Sequence, residues 1–137
     1  RILFGAPVEQ GITPGDFRFD HLFVQKWNQR KPDEPIERDW DVFELLDEDD
    51  DADDLFGYIG EDVPRHQLGG YPYFTQADPR EVQHGDLDTL LFQLDSDTRG
   101  REFFVCWGDL GVGNFFISRD ALKRRDFSKV LYNWDCG

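Results

Sequence analysis

The chain has 137 residues and carries 15 Lys+Arg against 29 Asp+Glu, a formal net charge of −14. That balance argues against nucleic acid, whose phosphates need clustered Lys and Arg, and against an anionic membrane surface; no apolar run nears the ~20 residues of a spanning helix. Aromatic residues make up 15% of the chain, 13 of them Phe, which argues for one folded domain over residues 1–137 rather than a disordered chain.

Gly5, Pro7, Gly11, Pro14 and Gly15 mark the start as loop with short extended pieces. The spacing of Phe19, Leu22, Phe23 and Trp27 predicts a helix over 16–28, with Asp16 capping it. Arg30 to Pro35 reads as a turn, and Asp39 to Asp47 as a second helix with Trp40, Phe43 and Leu46 on one face. Residues 1–46 thus form a mixed, partly helical part. Residues 47–54 hold seven acids in eight positions, and so dense a run repels itself into solvent. It reads as an acidic loop, with Asp49, Asp50 and Asp51 as contacts for a basic partner. It is not a calcium loop: with Asp49, Asp51 and Asp53 as ligands, Asp54 stands where Gly is required and Gly60 where Glu is required.

Residues 55–137 read as a β core. Strands are expected over Leu90–Leu94, Glu102–Trp107 and Gly113–Ser118, and the glycine-bearing stretch 108–112 predicts a hairpin between the last two. Ser118 is suited to cap a short helix over 119–125. A last strand follows over 129–134, with Val130, Tyr132 and Trp134 on one face. Aromatic residues at strand spacing are expected in the core. Short runs with tight glycine turns predict an α+β fold, mainly antiparallel β, with a few short helices. Cys106, inside an apolar run, is expected to be a buried thiol. Cys106 and Cys136 as free thiols suit a reducing cytoplasm. The lack of Met, even at position 1, points to a piece of a longer protein.

No catalytic pattern is complete. There is no G-x-S-x-G elbow. His21, His66, His84 and the two cysteines lack zinc spacing. The local metal candidates are His84, Asp86 and Asp88, where turn-forming aspartates flanking a strand are the plainer reading. Gly108, Gly111 and Gly113 are followed by Asn114-Phe115 instead of Lys-Ser/Thr, so no phosphate loop is present.

Four blocks nevertheless resemble a known family. His66-Gln-Leu-Gly-Gly-Tyr-Pro-Tyr-Phe-Thr-Gln-Ala-Asp-Pro79, Leu90 to Asp97, Trp107 to Ile117, and the closing stretch from Asp120 to Cys136 are similar to the YwqG-like domain of unknown function, in its order and spacing. The likeness covers residues 64–137; an earlier Gly-Gly-x-Pro block of the family has no counterpart between residues 1 and 46. The resemblance implies a roll-like, mainly β fold in bacterial, cytoplasmic proteins and, by analogy with domains beside toxin systems, an immunity or inhibitor role.

The matched positions His66, Gly69, Gly70, Tyr71, Gln76, Asp78, Gln93, Asp95, Trp107 and Asp109 carry two readings. Gly69-Gly70 suits a strained turn, and the amides and carboxylates would lock loops. Alternatively they converge on one polar cleft rimmed by Trp107 and Tyr71. The expectation is a non-enzymatic binding module with an acidic surface, no cofactor and a basic protein as partner. The alternative is an enzyme, metal or small-ligand site built on His66, His84, Asp86, Asp95 and Asp109.

Overall fold

A computed structural model describes residues 5–37, Val42 and residues 65–137. The second expected helix, apart from Val42, and the acidic run 47–54 lie outside the described residues. The fold is α+β with antiparallel sheets. Among the described residues the elements are, in chain order, helix α1 (Phe19–Arg30), β1 (Thr89–Asp95), β2 (Asp97–Arg99), β3 (Glu102–Val105), β4 (Val112–Ile117), α2 (Arg119–Arg124) and β5 (Leu131–Asp135).

Helix α1 buries Phe19, Phe23 and Trp27, spaced one turn apart on one face. They pack with Ile36 and Val42 into one core cluster. The turn after α1 is tied back onto the helix. Lys31 N–H donates to Trp27 O (2.7 Å), Trp27 Nε1 donates to Glu34 O (2.9 Å), and Asn28 bonds both the N–H and the C=O of Ile36. Asp16 does not cap the helix as expected. Arg18 takes the N-cap position without a side-chain bond, because the Asp16 carboxylate is held by arginines. Helix α2 follows expectation: Ser118 Oγ accepts the N–H of Ala121 (3.2 Å).

The three-stranded sheet has the order β1-β4-β5. The expected hairpin between the second and third strands does not form. β3 pairs instead with β2, as a two-stranded ribbon inserted between β1 and β4. That frees both edges of β4, which pairs with β1 on one side and β5 on the other. Gln67 extends the sheet beyond β1 through two backbone bonds to Gln93.

Alternation along β4 gives the sheet two unlike faces. Val112, Asn114 and Phe116 point to the inner face, which residues 72–74 cover: Phe74 stacks on Phe116 with centroids 6.1 Å apart, and Asn114 Nδ2 donates to Tyr73 O (2.9 Å). Phe74, Leu87, Leu90 and Phe116 form the second core cluster. Gly113 and Phe115 point to the outer face.

Candidate functional site

Two local motifs of the same form meet under the inner face. In Asp16-Phe17-Arg18 the arginine N–H and Nε both donate to Asp16 Oδ1 (3.0 and 2.7 Å). In Asp78-Pro79-Arg80 the arginine N–H and Nε donate to Asp78 Oδ1 (2.9 Å each). Arg80 joins the two motifs, placing Nη2 3.0 Å from Asp16 Oδ2 and 2.6 Å from Asp78 Oδ2. Its guanidinium also lies 4.2 Å from the centre of the Phe116 ring and 4.8 Å from that of Phe17. Burial pushes the Asp16 carboxyl up, but the Arg18 hydrogen bond and the Arg80 and Arg18 charges outweigh it and hold the group below the usual aspartate range. The Asp16 and Arg80 side chains are fully buried, so this knot fastens the N-terminal loop to residues 78–80 rather than meeting a substrate. Asp78 belongs to it. The signal that sequence reading missed is the repeated Asp-x-Arg spacing.

Gln93 also binds backbone, and Tyr71 is held by its own backbone groups. Gln93 Oε1 accepts the N–H of Tyr73 (2.7 Å), and its Nε2 donates to Arg65 O (2.9 Å). Gln10 spans Tyr71, accepting its N–H (3.0 Å) and donating to its C=O (3.3 Å). Gly69 and Gly70 precede it with φ of 68° and 77°, a left-handed turn that L side chains resist. Gln76 is exposed; its N–H donates to Asp135 Oδ2 (3.0 Å) and its Nε2 to Cys136 O (2.7 Å).

His66 is half-exposed. Its Nδ1 accepts the N–H of Asp95 (3.0 Å), so its Nε2 carries the proton and faces Asp97 Oδ2 at 3.6 Å. Burial pushes the Asp95 carboxyl above the usual range, opposed by the Ser96 N–H and by His66, with Asp97 adding to the rise. His84 and Asp86 are exposed. Asp88 Oδ1 accepts from Thr89 Oγ1 and from the first N–H of α2 (3.0 Å each). Asp109 is exposed in the turn before β4. Among the described residues, no three His, Cys, Asp or Glu side chains form a group able to hold a metal ion, so His84, Asp86 and Asp88 are not assembled into one. Asp49, Asp50 and Asp51 lie outside the described residues.

Trp107 sits elsewhere. Its N–H donates to Ser96 Oγ (3.0 Å), and its ring lies on the outer face over Gly113, beside Tyr132 (centroids 5.8 Å). Tyr71 belongs with the segment that covers the inner face, so the two rings do not rim one cleft. The outer face is instead a row of aromatic rings. Phe92 stacks on Phe115 (4.2 Å), Phe115 on Tyr132 (4.8 Å), and Tyr132 meets Trp107. Tyr132 and Trp134, expected in the core, are each 47% exposed. On that face Gly113 lies under the Trp107 indole, and the exposure falls on Tyr132 and Trp134. Phe103 and Phe104 of β3 and Leu110 are more exposed still, and Cys106, expected to be buried, is exposed too, because it falls in the turn after β3 rather than in a strand of the main sheet.

No curated protein matches the sequence. A family model for a domain of unknown function matches residues 2–136, which takes in the N-terminal part that the four sequence blocks did not reach. With that match over nearly its whole length, the chain belongs to the DUF1963 family, a domain of unknown function.

Proposed function

We propose that this chain is a YwqG-like, non-enzymatic protein-binding module that works in a bacterial cytoplasm and captures a basic protein in the manner of an inhibitor or immunity factor. The observation that carries this reading is the outward aromatic row Phe92–Phe115–Tyr132–Trp107, flanked by the half-exposed Trp134. Trp and Tyr on a flat, partly desolvated face are the residue types that dominate binding energy at protein interfaces. The net charge of −14 supplies the choice of partner. It would steer a basic protein toward the module and repel a second copy of it. The run 47–54 supplies seven of the 29 acidic residues.

Native mass spectrometry of the chain purified gently from its host tests this. The expected result is one stoichiometric basic protein, released as salt rises and absent from a Tyr132→Ser/Trp134→Ser variant. A bare monomer, or a partner retained equally by that variant, overturns the reading.

A further inference from the structure

Cys106 and Cys136 come together around one glycine. Cys106 follows β3 and is exposed; Cys136 follows β5 and is half-buried; both are free thiols. The Cys106 Sγ lies 3.3 Å from Gly108 O. A Cβ added to the same Gly108 would stand 2.7 Å from Cys136 Sγ and 2.8 Å from Trp134 Cζ3. Standard backbone dimensions then place the two sulfurs within about 10 Å of each other. The stretch between Cys106 and β4 is turn rather than strand. Gly108 and Leu110 both have left-handed φ, 54° and 63°, and Gly111 N–H donates to Trp107 O (2.7 Å). No sheet pairing holds either cysteine, so closing the gap calls for rotation about Cys106 and adjustment of this turn rather than for breaking a strand pair.

We propose that Cys106 and Cys136 form a redox modification site, a thiol pair that closes into an intrachain disulfide on meeting a low-molecular-weight disulfide such as oxidised glutathione. The exposed Cys106 reacts first. Its thiolate attacks one sulfur of the oxidant, a mixed disulfide forms, and the other half leaves as a thiolate that takes up the proton Cys106 lost. Cys136 then attacks Sγ of Cys106 as a thiolate. The second small thiolate leaves and takes up the proton from Cys136. Two protein thiols are oxidised, one small disulfide is reduced to two thiols, and the protons balance. The glutathione pool of a cytoplasm keeps such a pair reduced, so it closes under oxidative load. The bond would tether the turn bearing Trp107 to the end of the strand bearing Trp134, at one edge of the aromatic face. The proposal does not depend on what that face binds.

The full chain is incubated with oxidised glutathione and followed by intact-mass spectrometry and non-reducing peptide mapping. The expected product is a monomer lighter by two hydrogens, with a peptide containing Cys106 linked to one containing Cys136. Cys136→Ser is expected to stop at a chain carrying one glutathione on Cys106. A wild-type chain that keeps two glutathiones, links to a second chain, or retains both thiols overturns the proposal.

Discussion

Gly113 of β4 lies directly beneath the indole of Trp107, where an added Cβ would stand 2.5 Å from Cζ2. The bare backbone at this position lets the tryptophan lie flat against the sheet. Gly113→Ala therefore has to lift the indole. The expected cost is about 1–3 kcal/mol, typical of overpacking at a tight contact. Urea denaturation would show it as a lower midpoint, and the native tryptophan emission should change as the ring moves. An unchanged midpoint and spectrum would mean that the indole is free to shift.

The knot around Arg80 is expected to be the costliest site to break. Asp16→Asn removes a carboxylate from a fully buried guanidinium and leaves Asp78 as its remaining acid partner. A loss on the order of 3 kcal/mol follows from weakening the charge-assisted hydrogen bonds that both Arg18 and Arg80 make to this carboxylate, readable as a shift in the denaturation midpoint at neutral pH. A loss comparable to that of a surface substitution would refute the assignment.

The same carboxyl sets an acid dependence. Asp16 titrates below the usual aspartate value of 3.8 in the folded state. The stability it contributes is therefore fully present above that value and is lost as pH falls through the folded one. Asp95 has the opposite sign, because burial raises its carboxyl; its unfavourable contribution is relieved as pH falls. Relative to wild type, the loss of stability on acidification should be shallower in Asp16→Asn and steeper in Asp95→Asn. Parallel acid limbs in all three proteins would contradict both assignments.

Gln93→Leu is expected to loosen the strap over the inner face. The substitution keeps the bulk but removes the acceptor for Tyr73 N–H and the donor for Arg65 O. Leaving these part-buried backbone groups short of partners costs about 1 kcal/mol or more. Hydrogen exchange should show it locally, as faster exchange of the Tyr73 amide. Equal rates in both proteins would mean that water or another group replaces the amide.

Ser118→Ala isolates a local contribution. It removes the acceptor for Ala121 N–H at the start of α2, at an expected cost of about 1 kcal/mol by urea titration. A variant as stable as wild type would show that so short a helix is held by its packing alone.

Much of the local structure is legible in the residues. The four-residue spacing of Phe19, Phe23 and Trp27 places α1, although the helix starts at Phe19 because Asp16 is taken by Arg18 and Arg80. Ser118 marks α2, and the apolar runs around Leu90 and Phe115 mark β1 and β4. The site is less legible. Asp-x-Arg occurs at 16–18 and 78–80 in plain view, yet nothing in the spacing tells that Arg80 reaches across to Asp16.

By itself the sequence determined the acidic charge, the antiparallel α+β class, the positions of α1, α2 and the central strands, and a likeness to a family of unknown function. These rest on composition and on interactions within a few residues along the chain, which periodicity and capping express directly. Only the tertiary structure decided that β3 pairs with β2, that Cys106 and Cys136 flank Gly108, and that Tyr132 and Trp134 face outward while Asn114 and Gln93 are buried. A strand shows the same alternation whichever face is covered. The choice fell to residues 72–74, where the Tyr73 N–H donates to Gln93 Oε1 and the Tyr73 C=O accepts from Asn114 Nδ2, which selects the face that can be buried.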